Sequence, residues 1–453
     1  MGVNIKRLRL KNGIRVIIVP LKTKLTYISA NYLLGRYQEK KHEAGLTHYC
    51  EHLLATLTSK KYKKSTYVSE ELYKRGGKYN AHVSDYELSI YISGLYEDLE
   101  FYIDILSNTL NNFYIEKDIE IKEKGSVIQE YMGHLSNDNY IFDYNMFKFL
   151  YPKYSYLIDY KKQIKHIKFF DNRKIYKYIN DHLNTDNLVI TITCPVTKIN
   201  ETIKNIKKYF GVIKYKRSTF IYPIIKHINT FLKIVNIKNN NPDKNDSIVL
   251  HLPKRIEFLS EEFLILNFYI KRILFNFESG IFYKILRKKL GIIYNINLSV
   301  HVDNYNADMS YYNIKSKCHS KYMSIFIENF LYILKNYEMD DEHILNAKRY
   351  FKFEYETSKF YNLHSYNDEY KEQLLFNKEL ISNKEIYKKI ISIKPNKIKD
   401  YYNNVFIKDI LSRHILFYYS NENINNMIES LYKKNMPNIK CKTHYIHSIT
   451  SKI

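Results

Sequence analysis

The residues best suited to chemistry in this sequence are two histidines and a glutamate within five positions, His48, Glu51 and His52. On a helix each residue advances by about 100°, so the three side chains would project from one face. Two imidazoles one turn apart are typical ligands of a catalytic zinc, and an adjacent carboxylate can act as general base toward water. The order His-x-x-Glu-His is the inverse of the commoner His-Glu-x-x-His motif. The pattern predicts a helical zinc site that still needs a third ligand.

Glu130 is the best candidate for that ligand, because it lies in a helical pattern over residues 120–130. Glu123 lies two turns earlier on the same face, where it would accept a hydrogen bond from a ligating histidine. Spacing alone favours a plainer alternative, in which both glutamates are surface carboxylates of an amphipathic helix. The residues by themselves therefore leave the third ligand open.

The elements that must position the motif begin as a sheet. Apolar runs at residues 5–10 and 14–19 flank Asn12-Gly13, which favours a hairpin turn, and a third run follows at 27–35. The motif helix comes next. After it, the periodicity predicts a helix, a strand and further helices, with these bounds: a helix at 69–77, a strand at 79–94, helices at 95–114 and 116–136, mostly helix over 137–185 and a buried strand at 187–194. This order predicts an α+β domain.

The second half of the chain repeats short patterns of the first. Gly77 matches Gly291, each closing a helix before an alternating strand, and Glu130-Tyr131 matches Glu354-Tyr355 at a similar separation. We infer a duplicated domain, with these divisions: residues 1–214, a linker at 215–229 and a second copy at 230–453. The same shift places the zinc motif at 262–266, which contains no histidine. Only the first copy is expected to bind metal there.

The charge of the chain is strongly basic, with 71 basic and 47 acidic residues and a net charge of +24. Such a charge is compatible with a polyanionic partner. The lysines are spread along the whole chain together with many Ile, Asn and Tyr, so compositional bias explains them more simply than a binding groove. We therefore do not expect nucleic acid as the partner.

The cysteines and the N-terminus indicate a compartment. The four cysteines are scattered and fit neither a disulfide scaffold nor a thiolate zinc site. The N-terminal apolar run is short and interrupted by Lys and Arg, so no signal peptide, transit peptide or transmembrane segment is expected. We expect a soluble protein without a membrane partner, cytoplasmic or from another reducing intracellular compartment.

Several of these features together resemble one known family, the pitrilysin/insulysin zinc peptidases, and within it the half-length mitochondrial processing peptidase branch. The resemblance covers nearly all of the chain and rests on these residues: Asn12-Gly13, Gly45-Leu46-Thr47 before the motif, Gly76-Gly77, Asn80-Ala81, Glu123, Glu130, Arg287 and Tyr294. It implies two duplicated α/β-sandwich domains joined by a linker, each with a mixed, mainly antiparallel sheet, forming half of a clamshell.

The resemblance also implies roles for individual residues. His48, His52 and Glu130 would ligate one zinc per chain, Glu51 would be the general base and Glu123 would orient the site. The resemblance thereby favours Glu130 as a ligand over the surface carboxylate that spacing alone favoured.

Substrate and partner follow from the same resemblance. Asn80 and Ala81 would begin the edge strand to which a peptide adds as an extra strand. Tyr294 would donate to the oxyanion and Arg287 would hold the substrate backbone. In a half-length chain these two would serve the zinc site of a second chain, which predicts a homodimer with composite sites.

The expected function is therefore a zinc-dependent endopeptidase acting on unfolded peptides or short protein segments in a closed chamber. One alternative is a catalytically inactive family member used as a structural or assembly subunit. A less favoured alternative is a basic protein that binds polyanions.

Overall fold

The computed structural model describes residues 5–217, 233–238, 246–253, 261–301, 310–358, 368, 370–371, 373–376, 378–420, 422–436 and 442–446. Within these residues it contains two six-stranded sheets with helices packed on them. Among the same residues, no helix combines the length and the apolar character needed to cross a bilayer. The predicted α+β class with two copies is confirmed.

The first sheet is mixed and mainly antiparallel, as predicted. Its strand order is β1-β2-β6-β3-β5-β4, in which β2 and β6 are parallel and all other neighbours are antiparallel. The strands have these bounds: β1 Lys6–Arg9, β2 Arg15–Leu21, β3 Leu25–Tyr32, β4 Lys78–Val83, β5 Leu88–Leu95 and β6 Leu188–Pro195. The order leaves β4 at one edge of the sheet.

The predicted hairpin at Asn12-Gly13 joins β1 to β2. Gly13 has φ of 89°, a left-handed conformation that favours glycine. The Asn12 side-chain amide donates to the carbonyl oxygens of Phe210 and Ile213, both at 2.8 Å. The turn therefore also anchors the C-terminal end of a helix that returns to the sheet.

The single strand predicted at 79–94 is wrong, because this stretch forms two strands, β4 and β5, joined by a turn. The Ser84 N–H donates to the Glu87 carbonyl oxygen at 2.8 Å, and the Glu87 N–H donates to Ser84 Oγ at 3.1 Å. The apolar alternation continues on both sides of the turn, so periodicity could not reveal it. The residue types did indicate a turn, because Ser and Asp side chains often form hydrogen bonds with the nearby backbone in turns.

Helices follow the strands in the order that the periodicity predicted. Their bounds in the first half of the chain are α1 Leu46–Ala55, α2 Ser65–Lys74, α3 Leu99–Asn111, α4 Lys117–Leu135, α5 Asp138–Leu150, α6 Tyr160–Phe169, α7 Asn172–His182 and α8 Ile199–Tyr209. One face of the first sheet packs into a continuous apolar core with α1 and α3, in which Val16, Ile18 and Tyr102 are fully buried.

The second sheet repeats the topology of the first. Its order is β12-β7-β11-β8-β10-β9, so that β7-β11-β8-β10-β9 correspond in turn to β2-β6-β3-β5-β4. Its strands have these bounds: β7 Lys233–Lys238, β8 Asp246–Pro253, β9 Ile293–His301, β10 Tyr311–Cys318, β11 Ile415–Ser420 and β12 Lys442–Ile446. Only the outer strand differs, since β12 pairs parallel to β7 whereas β1 pairs antiparallel to β2.

The helices of the second half of the chain follow the same plan. They have these bounds: α9 Glu261–Leu274, α10 Met323–Asn336, α11 Asp341–Ser358 and further helices at Asn383–Ser392, Pro395–Tyr401, Ile407–Arg413 and Asn425–Asn435. A π-helical segment, Tyr283–Lys289, lies before β9. Helix α9 follows β8 as α1 follows β3, and residues 262–266, which match the zinc motif, lie within it without a histidine.

The chain forms two compact units that exchange segments. The first unit comprises Met1–Leu135, Tyr156–Pro223 and Thr357–Glu385, and the second comprises Ser136–Ser155, Ile224–Glu356 and Ile386–Ile453. The units therefore differ from a simple division of the chain at the linker, whose predicted range 215–229 lies outside the described residues from 218 onward. The second face of the first sheet, opposite the main core, is also apolar. The segment Thr357–Glu385 covers this face, because Tyr370 packs against Ile17 and Val19.

Candidate metal centre

Two features fix the start of the motif helix α1: the backbone conformation of Gly45 and the buried carboxylate of Glu39. Gly45, just before the helix, has φ of 91°, and a Cβ added there would lie 3.1 Å from the Gln163 Cβ. The Glu39 carboxylate accepts hydrogen bonds from the N–H of Gly45 at 2.8 Å and of Thr47 at 2.7 Å. These bonds satisfy donors that the first turn of a helix leaves free, next to its positive dipole end. Glu39 therefore holds the start of the motif helix in place.

One face of α1 is anchored in the core, which leaves the other face for the motif. Leu46, Tyr49 and Leu53 are buried. The Tyr49 hydroxyl donates to the Glu120 carbonyl oxygen at 3.2 Å, which ties α1 to the start of α4. The opposite face of α1 therefore meets the middle of α4.

His48, His52 and Glu130 converge at that place. Glu130 Oε2 lies 3.5 Å from the Nε2 atoms of both His48 and His52. One ligand atom from each residue lies within 4.8 Å of the other two, and no other trio of His, Cys, Asp or Glu in the described part of the chain does so. Tetrahedral zinc with ligand bonds of about 2.1 Å separates its ligand atoms by about 3.4 Å. The two distances of 3.5 Å from Glu130 to the histidine nitrogens match this spacing, so the three side chains could hold a zinc ion.

Two neighbouring groups prepare the histidines as ligands. His52 Nδ1 donates to Glu123 Oε2 at 3.1 Å, which leaves Nε2 as the lone-pair nitrogen facing Glu130. Burial lowers the pKa of His48 to about 4, so its imidazole is neutral at physiological pH. His48 is therefore in the protonation state that metal binding needs, and the hydrogen bond to Glu123 orients the His52 imidazole.

Glu51 lies beside the trio but is not one of its members. Its Oε2 atom is 3.8 Å from His48 Nε2 and 4.0 Å from His52 Nε2. The side chain is buried, and burial raises the pKa of Glu51 to about 7. A carboxyl group in this position is suited to exchange a proton with water near neutral pH.

Asn80 and Ala81 lie on the exposed edge strand β4, which packs against α1. Asn80 is exposed and Ala81 is buried, as alternation along a strand requires. The Ala81 N–H donates to Asn80 Oδ1 at 2.9 Å, and Ala81 is paired with Ile90 of β5. Both residues are thus in the unit that contains the metal centre, on the strand where an extended peptide could pair.

Arg287 and Tyr294 lie in the second unit, next to one another. Arg287 is in the π-helical segment before β9, and its guanidinium group lies 5.5 Å from the Tyr294 ring centroid. The Arg287 Nη1 atom donates to the Ile293 carbonyl oxygen at 3.3 Å. Tyr294 is on the edge strand β9 and is 64% exposed. The pair therefore presents a phenol and a cation to solvent.

The sequence analysis missed several residues beside the metal centre. A cavity of about 180 Å³ next to His48 and Glu130 is lined by Arg36, Tyr160 and His134, and by Glu39. His134 is one helical turn after Glu130 and lies 3.6 Å from it, a spacing that the sequence does contain. Arg36 and Glu39 come from the segment before α1 and Tyr160 from α6, and no local pattern links them to the motif.

Two family models match the chain. One, described as insulinase (peptidase family M16), matches residues 33–146, and the other, described as peptidase M16 inactive domain, matches residues 170–351. The first range contains the histidines and glutamates of the metal centre, and the second contains Arg287 and Tyr294.

Two relatives are similar over part of the chain. Over 207 residues it is 23% identical to the mitochondrial-processing peptidase subunit beta of Dictyostelium discoideum, covering 45% of this chain and 43% of that protein. Over 132 residues it is 29% identical to the insulin-degrading enzyme of Bos taurus, covering 29% of this chain and 13% of that enzyme. The matches span less than half the length of either relative.

Solved structures share the fold over nearly the whole chain. A protease from Helicobacter pylori superposes with a TM-score of 0.77 at 17% identity, covering 93% of this chain and all of that one (100%). The first half of the periplasmic protease PqqL from Escherichia coli gives a TM-score of 0.74 at 15% identity, with coverage of 95% and 96%. A peptidase M16 inactive domain from Pseudomonas fluorescens gives 0.75 at 11% identity, with coverage of 93% and 98%. At these identities the likeness concerns the fold.

Proposed function

Because this chain belongs to the M16, or insulinase, family of peptidases, we propose that it is a zinc-dependent endopeptidase. The observation that carries the proposal is the meeting of His48 Nε2 and His52 Nε2 at the same oxygen of Glu130, each at 3.5 Å. These three residues would hold the zinc. When bound, zinc supplies Lewis acidity, which polarises a carbonyl group and lowers the pKa of water.

The residues around the ligands would each have a separate role in peptide hydrolysis. Glu51 would accept a proton from the attacking water and deliver it to the leaving amine, since its oxygen lies beside both imidazoles. Glu123 would keep the His52 imidazole oriented through the hydrogen bond to Nδ1. Neither role requires a change in the backbone of α1 or α4.

The substrate would be an unfolded peptide or a short unstructured protein segment. It would pair with β4 as an additional strand at Asn80 and Ala81, because this edge carries backbone groups that no other strand of the sheet uses. A peptide bound by backbone hydrogen bonds is selected mainly for its extended conformation. We propose that it is held in this way in an enclosed chamber.

Arg287 and Tyr294 would complete the site of a second copy of the chain in a homodimer. Tyr294 would donate to the oxyanion and Arg287 would bind the substrate backbone, roles that suit their exposure and mutual contact. Each chain would then contribute a zinc half-site and an Arg/Tyr half-site.

The first test separates metal binding from catalysis. Glu51→Gln is expected to retain zinc, because Glu51 is not among the three ligands, and to lose cleavage of a quenched fluorescent peptide by about a hundredfold or more, because the amide cannot take a proton. Zinc content by atomic emission and initial rates would be measured for the wild type, for Glu51→Gln and for the control Glu70→Gln on exposed α2. Unchanged activity of Glu51→Gln would contradict the assigned role.

The same assay addresses the alternative of an inactive structural subunit. Residues 170–351 match the family described as peptidase M16 inactive domain, and this match supports the alternative. A wild-type protein that binds zinc but cleaves no member of a diverse peptide library would support this alternative. Cleavage that depends on Glu51 would exclude it.

The second test concerns the homodimer. Inactive Glu51→Gln chains and inactive Tyr294→Phe chains would be mixed after brief dissociation. In a dimer with composite sites, half of the random pairs are mixed, and each mixed pair contains one intact site, so about one quarter of wild-type activity is expected to return. If each chain completes its own site, the mixture will stay inactive.

A further inference from the structure

A second cavity in the first unit is lined by cations and contains none of the metal-centre residues. It has a volume of about 410 Å³ and lies where the loop before α1 meets α7 and residues 216–217. The cationic side chains around it are Lys40, Lys174, Lys177, Lys216 and Arg217. Three separate segments of the chain therefore direct positive charge into one opening.

The carboxylates at this cavity do not balance its cations. Only Glu43 and Asp181 line it, against five lysine and arginine side chains. Asp181 pairs with Lys177 at 2.8 Å. Glu43 Oε2 accepts from the backbone N–H of Lys40 at 3.0 Å, and Glu43 Oε1 lies 3.6 Å from His42 Nε2. The cavity therefore has an excess of positive charge.

Several of these cations have no acidic partner. Lys174 Nζ donates to a neutral acceptor, the His42 carbonyl oxygen, at 2.9 Å. Within the described part of the chain, the side chains of Lys40, Lys216 and Arg217 make no hydrogen bond and no ion pair within 4.0 Å, while Asp181 attracts the Lys216 ammonium group at longer range. Cations grouped without partners repel one another, and an anion between them removes that cost.

The position of Lys216 is determined by the fold and not by chance exposure. The Lys216 N–H donates to Thr185 Oγ1 at 2.9 Å, and Thr185 Oγ1 in turn donates to the Lys216 carbonyl oxygen at 3.3 Å. Thr185 itself is buried. Burial lowers the pKa of Lys216, and this effect outweighs the attraction of Asp181, which raises it. The backbone therefore holds Lys216 and its neighbour Arg217 at the rim of the cavity.

We propose that this cavity is a binding site for a phosphate-chain anion of the size of tripolyphosphate. Adjacent phosphate groups supply several negative charges at short spacing, which matches cations arriving from three segments. Arginine binds phosphate oxygens with two parallel hydrogen bonds, and lysine binds them as a point charge. Free polyphosphate and a nucleoside triphosphate share this chemistry.

The site is linked to the motif helix by direct contacts. Leu46, the first residue of α1, lines the cavity, as does Tyr178. The Tyr178 hydroxyl is 2.6 Å from Thr47 Oγ1, and Thr47 precedes His48 in the chain. A bound anion would therefore lie against the first turn of the helix that contains the metal ligands. This inference does not depend on the proposed peptidase activity.

The test is calorimetric titration of the full chain with inorganic tripolyphosphate. The variant Lys40→Gln/Lys216→Gln/Arg217→Gln is expected to bind at least about tenfold more weakly than the wild type, because it removes the three unpartnered charges. The control Lys22→Gln/Lys24→Gln/Lys60→Gln removes the same charge from exposed positions of the same unit and is expected to bind like the wild type. Thermal unfolding would verify that both variants are folded.

Two further measurements identify the ligand and locate its binding site. A nucleoside triphosphate is expected to bind at least as well as tripolyphosphate, and the corresponding nucleoside not at all. Hydrogen exchange is expected to slow in peptides covering 40–47 and 174–182 on addition of tripolyphosphate. The proposal is overturned if the wild type does not bind tripolyphosphate, if the two triple variants bind it equally, or if the nucleoside binds as tightly as the triphosphate.

Discussion

Single residues in this protein acquire their chemistry from the groups that surround them. His52 donates through Nδ1 to Glu123, and burial lowers the pKa of His48 to about 4, so the His48 imidazole is neutral beside Glu130. Glu51, on the same helix, is buried, and burial raises its pKa to about 7. Identical side chains elsewhere on these helices, such as the exposed Glu70, have no such surroundings.

His414, at the start of β11, gives a test of the same principle in the second unit. It is fully buried, donates through Nδ1 to the Ile410 carbonyl oxygen at 2.5 Å, and accepts at Nε2 from the Tyr432 hydroxyl at 2.7 Å. Burial lowers its pKa to about 4. In the unfolded chain the pKa is near 6.5, so between about pH 6.5 and 4 the unfolded state binds more protons than the native state.

The stabilisation from neutral His414 is therefore present above pH 6.5 and is lost as the pH falls toward 4. The loss is expected to be about 3 kcal/mol, from the difference between the two pKa values. Urea unfolding at several pH values would show a shallower decline for His414→Gln than for the wild type. Parallel curves for the two proteins would contradict the assignment.

Among the elements, α1 depends on a residue outside itself. Glu39 satisfies the N–H groups of Gly45 and Thr47 from the preceding loop. Glu39→Ala leaves these two buried donors without their acceptor and is expected to lower the free energy of unfolding by about 2 kcal/mol. Because the first turn then frays next to His48, zinc affinity is expected to fall as well.

Denaturant unfolding and zinc titration would measure both effects of Glu39→Ala. Glu43→Ala is a suitable comparison, because Glu43 accepts from a backbone N–H of the same loop, that of Lys40, through a solvent-exposed hydrogen bond. It is expected to change neither quantity appreciably. Equal zinc affinity of Glu39→Ala and the wild type would show that α1 is positioned by its apolar face alone.

At the scale of the whole molecule, the exchange of segments makes each unit dependent on the other half of the sequence. Lys371 comes from the second half, yet it lies in the first unit, where its Nζ atom pairs with Glu87 at 2.8 Å and with Asp368 at 3.0 Å. Lys371 is buried, and Glu87 stands at the start of β5. The unit that contains the metal centre is thus completed by a distant part of the chain.

Lys371→Met removes the cation and leaves the Glu87 carboxylate largely desolvated. It is expected to lower the free energy of unfolding by about 3 kcal/mol, a value typical of the loss of one partner of a buried ion pair. Hydrogen exchange is expected to increase in peptides covering β4 and β5 and to stay unchanged in the peptide covering β11. The exposed Lys384→Met serves as the control, and restored stability in Lys371→Met/Glu87→Gln would confirm that the unpaired carboxylate is the cause.

The sequence by itself determined the local features of this protein. Helical spacing placed His48, Glu51 and His52 on one helix face, and the Asn12-Gly13 hairpin with the repeated patterns around Gly77 and Gly291 predicted the fold class and the duplication. These features depend on neighbours within a few residues, so periodicity and turn chemistry report them directly. The same method failed at residues 79–94, where alternation continued across a turn.

Only the tertiary structure decided which distant groups meet. Spacing could not distinguish Glu130 from Glu123, because both lie on one face of α4; the approach of α1, tied by Tyr49 to the start of α4, brings Glu130 to the Nε2 atoms and Glu123 to Nδ1 of His52. Likewise, no local pattern predicted the cationic cavity or the exchanged segments. Such contacts are selected by how apolar faces pack, and that depends on the whole set of elements at once.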